Sequence, residues 1–126
     1  MKKLIMLTAI SLLVGCQSIP TTEEKLGPYP DDYKNIVKNH IKSTFYDPYS
    51  LRDAELTPPV NARVGWDTGW AVCLRTNGKN RMGGYTGMQT SVILIRDYKV
   101  ISTYRNFKPC YNVYNYEPYS INGENQ

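Results

Sequence analysis

Tyr33, Ile36, Val37, His40, Ile41 and Phe45 recur at the three- and four-residue spacing of one helical face, while Lys34, Asn35, Lys38, Asn39 and Lys42 fall elsewhere. Pro30 suits a first helical turn, Asp31 and Asp32 complement the positive helix start, and Pro48 forces Asp47 out of helical geometry. The pattern therefore predicts one amphipathic helix ending just before Pro48. From Ser50 onward the period shortens. Residues 50–56 alternate loosely until Pro58 and Pro59 stop them, 69–76 read as a strand of bulky residues, and 90–96 form a strand with an apolar middle. Arg96, Asp97, Tyr98 and Lys99 make a tight turn into a returning strand over 100–104. The expected fold is α+β: an N-terminal amphipathic helix packed on a small antiparallel sheet of three or four strands, a single domain over 29–126 whose tail frays from Ile121.

The chain ahead of this domain carries different information. Lys2 and Lys3 precede the apolar run from Leu4 to Val14, which has the length of a signal-peptide core and is too short for a stable membrane span. At its end Leu13, Val14, Gly15 and Cys16 resemble the bacterial lipobox, a Leu and a small residue before Cys. That resemblance implies a signal peptide over 1–15, a diacylglyceryl group on the Cys16 thiol and acylation of the new amine. Several acyl chains at ~0.8 kcal/mol per buried CH₂ make such attachment permanent. Gln17 stands where an Asp would favour retention at the inner membrane, which implies the outer membrane, with the domain facing the periplasm. Residues 16–28, with few large apolar groups and two prolines, read as a lipidated Cys and a tether holding the domain on the order of 20 Å from the lipid.

Composition narrows the partners. The formal charge of +4 falls once Lys2 and Lys3 leave with the signal: 15 − 2 = 13 basic residues then face 11 acidic ones, a net +2. That is no nucleic-acid signature, and the 11 tyrosines read as strand and rim material. Of the three cysteines, Cys16 is taken by lipid and leaves Cys73 and Cys110 as a pair in an oxidising compartment. A disulfide is the favoured reading; the alternative is a buried thiol in a strand and a free one in the tail. Two Cys and the single His40 are too few for a structural zinc site, and no cofactor is implied. His40, on an apolar stripe, reads as a packed or boundary residue rather than a catalyst.

The densest local signal is Asn77 to Gly87, "NGKNRMGGYTG", with four glycines. Gly78 and Gly83 have the opening spacing of a nucleotide-binding P-loop, but Gly84 and Tyr85 follow where Lys and Ser or Thr are required, and the next element is a strand. Nucleotide binding is therefore not expected. Two readings remain: a bend between strands, or an anion nest in which the amides of Gly83 and Gly84 act beside Lys79 and Arg81. Lys79, Asn80, Arg81, Gly83, Gly84 and Tyr85 are accordingly the candidate partner-binding loop.

Asp47-Pro48-Tyr49-Ser50, Cys73, Asn77-Gly78-Lys79-Asn80 and Gly83-Gly84-Tyr85-Thr86-Gly87 together resemble a group of small bacterial envelope lipoproteins. Its members carry Asp-Pro-x-Ser, Cys, Asn-x-Lys-Asn and Gly-Gly-Tyr-x-Gly in that order. The resemblance covers about Tyr29 to Tyr104 and implies a class without an established activity. Gly78 departs from it, since Ala is common at that place. The expected function is a non-catalytic interaction or assembly module anchored to the outer membrane, with an unknown envelope protein as partner. The competing expectations are a periplasmic inhibitor or ligand-binding protein, for example against a glycan-cleaving enzyme, and an enzyme of the cell wall. For the last, no cluster of Ser, His and acid is legible.

Overall fold

The computed structural model describes residues 26–122. The expected signal peptide, Cys16, the tether as far as residue 25 and the last four residues lie outside them. The fold is α+β, as the two periodicities predict, but the antiparallel sheet has six strands rather than three or four. Helix α1 is Tyr33–Thr44. The strands are β1 (Arg52–Leu56), β2 (Val60–Val64), β3 (Asp67–Lys79), β4 (Tyr85–Arg96), β5 (Lys99–Arg105) and β6 (Glu117–Pro118), with short 3₁₀ turns at Pro48–Ser50 and Lys108–Asn112.

The helix begins later than Pro30 suggests. The Tyr33 amide donates to the Pro30 carbonyl at 2.9 Å, so Asp31 and Asp32 form a turn ahead of the helix and its first turn holds no acidic residue. It also ends earlier than Pro48 requires, at Thr44: the Phe45 amide closes the last bond on Ile41, and the chain is extended from Phe45.

Sheet order is β5-β4-β3-β1-β6, and β2 also pairs with β3. Because β3 has 13 residues, it pairs β2 along its first half and β1 along its second, on the same edge. Pro58 and Pro59 interrupt that edge and cannot donate to the ladder. Thr57 bridges the gap, its amide donating to the Cys73 carbonyl at 3.0 Å and its hydroxyl accepting from the Cys73 amide at 2.8 Å. Arg96 pairs with Lys99 across a two-residue turn in which Asp97 and Tyr98 have φ of +52° and +62°, matching the tight turn read from the sequence.

Strand alternation sorts the core into two layers. Val72, Leu74, Ile93 and Ile95 face α1 and pack with Val37, Ile41, Leu56, Tyr119 and Ile121. Ala71, Val92 and Leu94 face the other way and pack with Val64 and Cys110. The middle of β4 is thus apolar at consecutive positions because both of its faces are covered. The tail does not fray from Ile121: Ile121 is 6% exposed and Tyr119 9%, both within the helix-side layer. At the other end Leu26 is buried, and the Trp70 indole N–H donates to the Gly27 carbonyl at 3.2 Å, so the final residues of the expected tether belong to the packed domain.

Candidate functional site

The glycine-rich segment is the β3–β4 hairpin. Lys79 pairs with Tyr85, and the Asn80 amide donates to the Gly84 carbonyl at 2.8 Å. Asn80 governs the turn. Its side-chain oxygen accepts the amides of Met82 at 3.0 Å and Gly84 at 3.1 Å, while its carbonyl accepts the Gly83 amide at 3.1 Å. One step into the hairpin, the Asn77 carboxamide accepts the Gly87 amide at 3.1 Å, where the register shifts between Asn77 and Lys79.

This geometry corrects the anion-nest expectation. The amides of Gly83 and Gly84 are both taken by Asn80, so no cradle of free N–H groups faces outward. The bend reading accounts for Gly83 and Gly87, whose φ values are +83° and +89°. Gly84 does not have positive φ, and a Cβ there would come no closer than 3.8 Å, to the Asn80 side chain. Gly84→Ala is therefore expected to change stability by less than about 0.5 kcal/mol. Asn80→Ala strips two amides of their acceptor and is expected to cost about 1–2 kcal/mol, measured by urea unfolding.

The loop's charged and aromatic residues form layers with residues from elsewhere in the chain. The Tyr85 hydroxyl donates to the Ser50 carbonyl at 3.0 Å; its ring lies 3.9 Å from the Arg52 guanidinium and 5.5 Å from the Lys79 ammonium. Arg81 lies 5.9 Å from the Tyr46 ring, and Lys42 5.9 Å from that of Tyr49. Tyr46 and Tyr49 are 68% and 64% exposed, so two aromatic faces stand open beside the cations.

Between this end of the sheet and the end of α1 runs a cleft of about 260 Å³, lined among others by Phe45, Tyr46, Lys79, Asn80, Gln89 and Arg105. Phe45, Ser91 and Arg105 also line an adjoining space of about 220 Å³ that reaches His40 and Thr103. Neither lining contains a carboxylate. The one ion pair among the described residues is Arg75–Glu55, so Lys42, Arg52, Lys79, Arg81 and Arg105 have no carboxylate partner there. Asp47 and Asp53, nearby in sequence, neutralise none of them at ion-pair distance. His40 is half-buried, its Nε2 lies 3.1 Å from the Thr103 hydroxyl, and burial lowers its pKa, keeping the ring neutral at pH 7.

Of the expected site residues, Lys79, Asn80, Arg81, Gly83, Gly84 and Tyr85 share the hairpin, Cys73 and Cys110 form a disulfide remote from it in role, and Cys16 lies outside the described residues. Sequence reasoning missed Arg52, Tyr46 and Tyr49 as companions of the loop, although Tyr46 and Tyr49 flank the predicted helix stop. It also missed Arg105, which reaches the cleft through the pairing of Ser91 with Arg105. Among the described residues no group of His, Cys, Asp and Glu could hold a metal ion. No protein-family model, curated protein or solved structure matches the chain.

Proposed function

We propose that this chain is a lipoprotein anchored to the outer membrane through Cys16, facing the periplasm, and acting as a non-catalytic interaction or assembly module of the cell envelope. The observation that carries the functional part is the set of cations without a carboxylate partner among the described residues, interleaved with open tyrosine faces beside an internally hydrogen-bonded hairpin. Such a surface suits an acidic partner, and it requires no bound nucleotide, nucleic acid or cofactor. Placement supports the same reading. The chain enters the domain at Gly27, beside Trp70, whereas Lys79 lies nine residues further along β3, about 30 Å away at strand rise. A domain tethered from its N-terminus would hold the cationic end away from its own lipid.

The anchor rests on the lipobox residues Leu13 to Cys16, and it is supported by the Cys73–Cys110 bond, which leaves Cys16 as the one cysteine over. The resemblance to small envelope lipoproteins agrees with it. The non-catalytic reading is supported by His40, which has no carboxylate beside it in the cleft to orient the ring.

A second reading has one specific observation in its favour. Met82 is 95% exposed at the tip of a turn whose amides are internally satisfied, as a loop that plugs an enzyme's cleft requires. Crosslinking and recovery from envelope membranes separates the two. The module reading expects Lys79→Gln with Arg81→Gln to lower partner yield while Met82→Ala leaves it unchanged; the inhibitor reading expects a tight complex with a soluble enzyme that Met82→Ala breaks. For the anchor, Cys16→Ser is expected to abolish lipid labelling and leave the precursor uncut. Labelling that persists in that variant would remove the anchor from this account.

A further inference from the structure

The helix-facing side of the sheet changes character part-way along its strands. Against α1 it is apolar: Val72 and Leu74 from β3 and Ile93 and Ile95 from β4 pack with Val37 and Ile41. Two-residue alternation carries the same face on to Thr76 in β3 and to Ser91 and Gln89 in β4. The register sets these side by side, Leu74 with Ser91, Ser91 with Arg105, and Thr76 with Gln89. The helix stops at Thr44, and this polar row floors the cleft that Phe45 and Tyr46 line beyond it.

Internal hydrogen bonds fix what two of the lining amides offer a ligand. The Thr86 hydroxyl donates to the Gly78 carbonyl at 3.3 Å, so toward Gln89 it accepts; the Gln89 Nε2 donates to it at 3.3 Å, and the Gln89 carbonyl oxygen remains as an acceptor. Asn80 is held the other way round. Its oxygen takes the Met82 and Gly84 amides, which leaves its N–H₂ group as a donor. A ligand hydroxyl both donates and accepts, and these two side chains line the cleft with one role each. Ser91 and Thr76, the latter only 6% exposed, add hydroxyls at the floor. Arg105 is common to the linings of the cleft and of the adjoining space, so charge stands where the two meet. The adjoining space is apolar at its base, where Phe45, Leu74 and Ile93 line it, and suits a methyl group rather than a further hydroxyl. Together the two spaces, of about 260 and 220 Å³, fall within the roughly 300–1,000 Å³ of small-ligand sites.

Resting on the reading of this end of the sheet as a surface for an acidic partner, we propose that the cleft binds an N-acetylated sugar bearing a carboxylate. Arg105 takes the carboxylate, and its planar fork matches the two oxygens. Gln89, Asn80 and Ser91 take hydroxyls of the ring, and the open face of Tyr46 packs on the ring's C–H groups. The acetyl methyl enters the space over Leu74 and Ile93. The absence of a carboxylate from either lining leaves nothing there to repel the acid. The neutral groups separate a sugar from a simple acid, because a ligand without hydroxyls would desolvate them and return no hydrogen bond.

The test titrates a chain from residue 16 onward, carrying Cys16→Ser and containing every described residue, and follows its backbone amides by NMR. N-acetylmuramic acid is expected to shift the amides of Thr76, Gln89, Ser91 and Arg105. N-acetylglucosamine, the same sugar without the lactyl carboxylate, and lactate, the acid without the sugar, should each bind at least about tenfold more weakly, the scale of one charge-assisted hydrogen bond. N-acetylneuraminic acid, whose carboxylate sits on the anomeric carbon, is titrated beside them, and the tighter of the two acidic sugars names the source. Arg105→Gln, with an otherwise native amide spectrum, should bind N-acetylmuramic acid and N-acetylglucosamine alike, and Gln89→Ala should weaken both in parallel. Equal affinities for those two sugars in the parent, an unchanged preference in Arg105→Gln, lactate binding as tightly as the acidic sugars, or no shift with either acidic sugar overturns the proposal. Neither variant touches Lys79 or Arg81, so recovery of an envelope partner through those residues is a separate result. Partner yield without sugar binding removes the sugar alone, and sugar binding without a partner removes the module alone.

Discussion

Cys110→Ala, or reduction of the Cys73–Cys110 bond, is expected to lower the unfolding free energy by about 4 kcal/mol. The bond spans a sequence separation of 37 residues, and in the chain-entropy model closing a loop of that length restricts the unfolded chain by roughly this amount. A structural consequence adds to the entropic one. Cys110 is fully buried against Val92 and Leu94, and with Phe107 it covers that face of the sheet. Losing the bond frees that cover and exposes apolar side chains to water. Urea unfolding with and without reductant should therefore show a lower midpoint when reduced, and a smaller slope if the tail has already detached from the native state. A shift under about 1 kcal/mol would mean that the 3₁₀ turn holds the tail without the sulfurs.

The parts of the fold legible in the sequence are those whose signal is local. The α1 stripe and the β4–β5 hairpin are written in short-range spacing, with Asp97 and Tyr98 at the turn. What stayed hidden depends on distant partners. Val60–Val64 carries Asn61 and Arg63 on its open side, follows two prolines, and becomes a strand because β3 is long enough to receive it. Glu117–Pro118 is a strand of two residues held against β1.

The candidate site divides along the same line. The hairpin and its cations were visible as a glycine-rich loop, but the role of Asn80 was not assigned. An Asn followed by a turn containing Gly is a known cue for a side chain that accepts the amides after it, and it was available here. Arg105 offered no such cue, since only the pairing of β4 with β5 brings it beside Ser91.

Tyr119→Ala is expected to cost about 4 kcal/mol, the scale of removing a large buried aromatic side chain. Tyr119 is 9% exposed and packs in the layer formed by Val37, Ile41, Leu56 and Ile121. Its hydroxyl donates to the Lys34 carbonyl at 2.6 Å, and its amide to the Ala54 carbonyl at 2.8 Å. One residue thus joins the tail to the first turn of α1 and to β1. Tyr119→Phe keeps the ring and loses only the hydroxyl bond, for an expected cost near 1 kcal/mol. The pair also separates packing from titration. Burial raises the Tyr119 pKa well above the usual 10.0, so above that pH the unfolded chain releases a proton that the folded one retains. Stability is full below pH 10 and falls as the pH rises beyond it. Tyr33 and Tyr116, also raised by burial, act in the same direction. Tyr119→Phe should therefore be less stable than the parent at pH 8 and lose less on passing from pH 10 to 11.5. Equal alkaline losses in the two proteins would show that Tyr119 ionises in the folded state, and its ring would then have to be reached by water rather than sealed between helix and sheet.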